Sequence, residues 1–249
     1  MSVFSILWYN KYGDFMDQFE RLKLQIKEDN LNKIKTTSVL IIGVGGVGSY
    51  ALESLIRSGI ENIIIVDNDT IDITNLNRQL MTLHSNIGKS KVDVWESRIK
   101  DINPNCKITK YKEFITKNNI DILFENKIDY IVDACDTIET KKELIRQAIK
   151  RNIKIISSMG TGNKLDPSKL EIIDIRKTSY DPIAKILRKM IKDEKIKGKI
   201  PVVCSKEQSI KTNTNTISSN SFVPATSGLL ITSYIINDII NKELIYEEK

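Results

Sequence analysis

The chain has 249 residues, 41% of them hydrophobic and 28% charged. That is enough to bury a full α/β core and rules out a chain too polar to fold. Thirty-eight Lys and Arg against 32 Asp and Glu give a formal charge of +6, a mild lean towards anionic partners that can also follow from base composition. Cys106, Cys135 and Cys204 are too few and too scattered for a disulfide framework, and the absence of a Cys-x-x-Cys pair argues against a structural zinc site.

Met1 to Tyr12 has aromatic residues but no basic start, long apolar run and small-residue cleavage site, so no signal peptide is expected and the reading is cytoplasmic. Phe15 to Ile34 carries Phe15, Phe19, Leu22, Ile26 and Leu31 among charges, which predicts an amphipathic helix or two short ones. Ser38 to Gly43 reads as a short buried strand, Gly43 to Gly48 opens a helix ending near Gly59, and Asn62 to Asp67 is a second strand. A polar, irregular segment, 68–88, precedes a helix over Lys89 to Ile102 and a candidate strand at Lys107 to Tyr111. Strands at Tyr130 to Ala134 and Lys154 to Ser157 bracket a helix over Thr137 to Arg151.

Beyond Gly160 the pattern predicts a strand at Leu170 to Ile175, a basic helix from Pro182 to Lys195 and a strand at Ile200 to Cys204. A mobile Ser/Thr/Asn loop over Ser209 to Ser221 and a core helix over Phe222 to Ile240 follow. That last segment is too interrupted by polar residues to span a membrane, so no stable membrane insertion is expected. The whole reads as a Rossmann-like, doubly wound α/β fold with a mostly parallel sheet, each strand a continuous apolar run, extended by further strands in the C-terminal half. We divide it into an N-terminal helical segment, 1–36, a first α/β half, 37–158, and a second half with the mobile loop and C-terminal helix, 159–249, sharing one continuous sheet.

Gly43-Val-Gly45-Gly46-Val-Gly48 follows a strand and opens a helix, the setting in which glycines allow a tight turn and close approach of phosphate to a positive helix N-terminus. Asp67 ends the next strand, where a carboxylate can hold a ribose hydroxyl. Taken alone this fits NAD, FAD or ATP. Asp67-Asn-Asp69, Asn75-Leu-Asn-Arg78-Gln79, Gly88-Lys-Ser-Lys91 and Asp133-Ala-Cys-Asp136 favour ATP, because a dehydrogenase has no need for an arginine and a lysine aimed at a triphosphate. Asp136, just past a strand end, can hold Mg²⁺ together with substrate phosphates. The plainer alternatives are that Arg78 and Lys91 are solvated charges and that Asp136 caps the next helix.

With these motifs the sequence resembles the ubiquitin-activating-enzyme-like superfamily of adenylyltransferases, over about Phe19 to Leu244. The resemblance implies ATP and Mg²⁺ as cofactors, with Asp67 and its neighbour Asp69 at the ribose end, Asn75, Arg78, Gln79 and Lys91 on the phosphates, and Asp136 on the metal. It also implies a homodimer in which an arginine of the partner's N-terminal helix reaches the ATP; Arg21 stands where that arginine would, or is a surface charge. Gly43 to Tyr50, Ile102-Asn-Pro104, Asp174-Ile-Arg-Lys-Thr178 with Asp181-Pro182, and Ser221-Phe-Val-Pro224 resemble, within that superfamily, the branch that dehydrates threonylcarbamoyladenosine in tRNA. Sulfur-carrier activators usually have two Cys-x-x-Cys pairs.

On that resemblance the carboxylate of the threonylcarbamoyl group is adenylated and then attacked from within the same side chain, releasing AMP. A tRNA partner would account for Lys185, Arg188, Lys189, Lys192, Lys195, Lys197 and Lys199, a run that is otherwise a solvated face. Cys204 could serve as a thioester nucleophile but reads rather as buried and inert; a sulfur- or electron-transfer partner stays open. The alternatives are activation of the C-terminal carboxylate of a ubiquitin-like or sulfur-carrier protein, and an NAD-linked oxidoreductase or silent nucleotide-binding scaffold.

Overall fold

A computed structural model describes residues 17–240 except 212, 214 and 215. Phe15, the start of the N-terminal segment, the tail beyond residue 240, and three positions of the tract read as a mobile loop therefore lie outside the described residues.

Short runs of β-branched residues make the sheet. β1 (Ser38–Ile42), β2 (Asn62–Val66), β3 (Lys107–Tyr111), β4 (Tyr130–Asp133), β5 (Lys154–Ser158), β6 (Leu170–Asp174) and β7 (Pro201–Ser205) form one seven-stranded sheet in the order β3-β2-β1-β4-β5-β7-β6. All neighbours are parallel except β6, which runs antiparallel to β7 on the outer edge. The chain order reverses direction between β1 and β4, and in an open parallel sheet the crevice beyond the strands' carboxyl ends at that point is where ligands bind.

Because side chains alternate along a strand, β1 sends Val39 and Ile41 into one core and Leu40 and Ile42 into the other. α1 (Glu20–Ile26), α2 (Glu28–Thr36), α3 (Gly48–Arg57), α4 (Lys91–Ile102) and α7 (Phe222–Ile239) supply buried residues to the first core. α5 (Ile138–Arg151) and α6 (Pro182–Asp193) cover the second, helped by a 3₁₀ segment at Ile120–Glu125 that sequence periodicity does not announce. The N-terminal amphipathic stretch is thus two short helices, divided at Lys27, which has a positive φ of 69°.

Two expectations need correction. β3 and β6 are half-buried edge strands, not continuous apolar runs, because each has a neighbour on one side only. The helix read from Lys89 begins at Lys91, because the chain before it is taken up in a small ladder with the segment after β2: Ile71 donates to the Lys89 carbonyl (2.8 Å), and Thr70 bridges Ser90. No helix among the described residues is long and apolar enough to cross a membrane; α7 packs along α3 instead, Thr232 Oγ1 donating to the Ala51 carbonyl at 3.1 Å.

Candidate nucleotide and carboxylate-activation site

The turn from β1 into α3 is as tight as a backbone allows. Gly43 has φ +83°, and a Cβ on Gly48 would lie 1.8 Å from the Gly43 carbonyl oxygen, so no larger residue closes this turn. Gly45 and Gly46 form its open lip, at the N-terminus of α3, where main-chain N–H groups and the helix dipole attract an anion.

Asp67, the residue after β2, holds the turn from the side. Its Oδ2 accepts from the Val44 N–H at 2.9 Å, and its Oδ1 accepts from the Asp69 N–H at 2.9 Å. The side chain is only 8% exposed. Burial pushes this carboxyl above its usual range, with the nearby Lys91 ammonium and the two N–H groups working against that rise. A buried carboxylate at the end of the second strand is placed to accept hydrogen bonds from a ribose.

Lys91 reaches this point through the ladder that trims its helix. Gly88, at φ +83°, turns the chain back, the Lys91 N–H donates to the Asp69 carbonyl (3.1 Å), and its Nζ sits 2.7 Å from Asp69 Oδ2 and 4.0 Å from Asp67 Oδ1. A lysine at the first position of a helix opposes the helix dipole. This one is only 5% exposed and is held there by the two carboxylates.

Residues 75–80 fold over the glycine lip. The Leu80 N–H donates to Ser49 Oγ (3.3 Å), pinning this segment to the first turn of α3. As a result the Arg78 stem lies against Gly46, with Cγ and Cδ both 3.7 Å from where a Cβ would stand, and the Gln79 amide nitrogen lies 3.5 Å from the same point on Gly45. The guanidinium is steered by the Thr74 carbonyl (2.8 Å) and Asn77 Oδ1 (3.1 Å). Gln79 is buried, and its Oε1 has no hydrogen-bond partner among the described residues. Asn75 does a local job: its Oδ1 accepts from the Asp72 N–H in a reciprocal cap.

The other flank is the end of β4. The Ala134 carbonyl would lie 2.8 Å from a Cβ on Gly43, which sets the following residues beside the turn. Asp136 is exposed there, with one long contact from Thr137 Oγ1 (3.4 Å) and no capping bond to α5. The capping alternative therefore has no support. Among the described residues no group of three or more His, Cys, Asp or Glu could hold a metal alone. A cation would need oxygens from the nucleotide beside Asp136, a sparse donor set that suits Mg²⁺.

Sequence reasoning passed over what lies beneath. Lys141 is 1% exposed, and its Nζ donates to Asp133 Oδ1 (3.0 Å) and to the Ser158 carbonyl (2.8 Å). Burial alone would lower its pKa; the Asp133 charge, with smaller help from Cys135 and Asp181, overrides this and raises it. The signal was a lysine on the apolar stripe Leu144, Ile145 and Ala148 of α5, eight positions after an aspartate ending a strand. The pair ties β4, α5 and β5 together directly under Asp136.

The far wall comes from the C-terminal half. Pro224 Cβ lies 3.3 Å from the Cβ position of Gly46, and Asn77 Nδ2 donates to the Ser219 carbonyl (3.0 Å). Asn220 Nδ2 donates to the Lys164 carbonyl at 2.7 Å, fixing that wall to the segment after β5. Thus Gly43, Gly45, Gly46, Gly48, Asp67, Asp69, Arg78, Gln79 and Lys91 gather at the glycine turn, and Asp136 follows the strand end beside it. Arg21 does not join them: it is exposed on α1, whose Phe19 packs beside Gly59 at the opposite end of α3. Cys204 is buried in β7 with its thiol pushed up to about 12 by burial, so it is protonated and unreactive at neutral pH.

A parallel sheet with a glycine turn, a buried carboxylate bonded to that turn, and a lysine and an arginine beside it defines a nucleotide-binding α/β enzyme of the adenylating type. The family model described as the ThiF family matches residues 19–170, and the chain belongs to that family. A Bacillus subtilis protein named tRNA threonylcarbamoyladenosine dehydratase is 40% identical over 242 residues, covering 90% of this chain and 95% of its own. An Escherichia coli protein of the same name is 33% identical, covering 81% of this chain and 75% of its own. The crystal structure of E. coli tRNA N6-threonylcarbamoyladenosine dehydratase in complex with AMP superposes with a TM-score of 0.85 at 31% identity, over 90% of this chain and 94% of that one. The same enzyme in complex with ATP gives the same values.

Proposed function

We propose that this chain uses ATP to dehydrate threonylcarbamoyladenosine in tRNA, through an acyl-adenylate formed in the crevice. The observation that carries this reading is the convergence of Arg78 and Lys91 on the two sides of the glycine turn. A dinucleotide needs no such pair, whereas a triphosphate attacked at its α-phosphorus does. The likeness to dehydratases over nearly the whole length of this chain supports the choice of substrate.

In this reading Asp67 accepts from the ribose, and Gly45 and Gly46 offer N–H groups to phosphate. Lys91 exchanges Asp69 for phosphate oxygen, and Arg78 and Gln79 close over the lip, with Asn75 holding their segment. The substrate carboxylate attacks the α-phosphorus and pyrophosphate leaves. An atom of the same side chain then attacks the activated carbonyl and expels AMP, which takes one carboxylate oxygen with it, so the nucleoside loses the elements of water. Bound beside Asp136, Mg²⁺ would neutralise charge on the phosphates. The reaction needs no sulfur- or electron-transfer partner.

We place the reaction in the cytoplasm and in a homodimer. The remoteness of Arg21 from its own crevice supports delivery of this side chain to the other subunit. Incubation with ATP, Mg²⁺ and tRNA carrying threonylcarbamoyladenosine, followed by nucleoside mass spectrometry at mild pH, tests the assignment. The expected result is loss of one water with AMP release, reduced about 10²–10³-fold in Arg78→Ala and Lys91→Ala, whose circular dichroism stays wild-type. An unchanged nucleoside with wild-type enzyme, or AMP trapped as an ester on a small protein instead, would overturn it.

A further inference from the structure

The outer face of α6 carries charge that the fold does not use. Ala184, Leu187, Met190 and Ile191 are buried, which leaves Lys185, Lys189 and Lys192 exposed on the opposite face at i, i+4 and i+7. Lys195, Lys197 and Lys199 continue the positive surface past the helix end. None of these six lysines has a carboxylate partner among the described residues, whereas Lys142 and Arg146 on neighbouring α5 are both paired. Arg188 is not part of the stripe, because its guanidinium is held by the Thr178 carbonyl and hydroxyl. The nearby acids are Asp193, which is exposed, and Glu194, which is occupied by Arg146.

The position of this face is fixed relative to the crevice. Asp181 caps α6 through the Ala184 N–H (2.8 Å), and its other oxygen accepts from the Gly160 N–H (2.9 Å), two residues beyond the end of β5. The helix therefore starts at the carboxyl edge of the sheet, next to Ser158, whose carbonyl holds Lys141. From there Lys185, Lys189 and Lys192 descend over about 10 Å of helix axis. Between α5 and α6 runs an open groove of about 750 Å³ with Lys185 and Lys189 on one wall and Lys142 and Arg146 on the other.

We propose that the outer face of α6, from Lys185 through Lys199, is the surface along which the tRNA phosphate backbone lies while the modified nucleoside sits in the crevice. The proposal rests on the functional reading above. Exposed lysines without carboxylate partners bind phosphate with release of counterions and without base specificity. They would hold the stem, and the crevice alone would select the nucleoside.

The test is the variant Lys185→Ala/Lys189→Ala/Lys192→Ala, with Lys107→Ala as control; Lys107 is exposed at the start of β3, the opposite edge strand of the sheet. Affinity for tRNA bearing threonylcarbamoyladenosine is measured across a salt series, beside ATP affinity and steady-state kinetics. Three lost phosphate contacts would lower the slope of log K against log salt by about two. Affinity should fall at least about tenfold near 0.1 M salt, and KM for tRNA should rise while kcat and ATP affinity stay wild-type. Lys189→Glu alone should move affinity in the same direction. A triple variant with wild-type affinity, salt slope and KM overturns the proposal and leaves the functional reading standing; wild-type enzyme that neither binds nor converts the tRNA removes both.

Discussion

Asp67 is a residue whose placement costs the unliganded fold something. Its carboxyl pKa is raised, chiefly by burial, so the folded chain binds this proton more tightly than the unfolded chain does. The sign follows: this contribution to stability is present below the unfolded carboxylate value and is lost as pH rises through the folded value. Asp67→Asn should therefore leave the thermal midpoint without nucleotide unchanged or higher at pH 7, while abolishing the stabilisation that ATP gives the wild-type chain. A variant that loses midpoint without nucleotide yet keeps the ATP shift would contradict the ribose-binding role.

Lys141 has the opposite balance. Removing one member of a buried pair strands the other charge, so Lys141→Met should cost about 3–5 kcal/mol of unfolding free energy in urea. Adding Asp133→Asn should recover most of that, because no uncompensated charge is left. If the single and double variants unfold alike, the pair is not what holds the end of β4. The residues proposed to hold nucleotide were legible because glycines, an acid and two cations fall at fixed offsets after recognisable strands. Lys141, Asp133 and Ser49 were not, because their roles depend on contacts between segments that spacing alone does not reveal.

At the level of elements, the contact of α3 with α7 sets the width of the crevice. The glycine turn rides on α3, Pro224 starts the facing wall on α7, and Gly228 lets the two helices meet: a Cβ there would stand 2.5 Å from the Val47 carbonyl and 2.8 Å from the Ala51 nitrogen. Alanine in a helix interior normally gains about 1 kcal/mol over glycine, but a backbone contact this short has no flexible partner to yield. Gly228→Val should destabilise by about 1–3 kcal/mol or more, as overpacking does, and weaken ATP binding through the displaced turn. A stable variant with wild-type ATP affinity would show that the helices can part without disturbing the site. The strands and most helices of the described residues could be read from periodicity because each is bounded by glycine, proline or a polar break; whether the N-terminal stretch made one helix or two could not. The exact start of α4 could not, since a ladder with residues 70–71 competes for its first residues and only the tertiary structure decides that contest.

For the molecule as a whole, one continuous sheet joins the strands around the glycine turn to a wall built after residue 158, whose Pro224 and Ser219 meet the turn and the segment folded over it. The change of pattern after Gly160 already suggested a boundary near residue 158, and the basic stretch near residue 190 was already matched to tRNA; the cap that joins Asp181 to Gly160 adds where that stretch lies. Everything about activity then depends on one chemical event, transfer of the adenylyl group of ATP to a carboxylate held in the crevice. The most direct measurement uses tRNA whose threonylcarbamoyl carboxylate carries heavy oxygen, with mass analysis of the released nucleotide. The account predicts one labelled oxygen in AMP for every nucleoside dehydrated; unlabelled AMP, or ADP in its place, would contradict adenylation of the carboxylate.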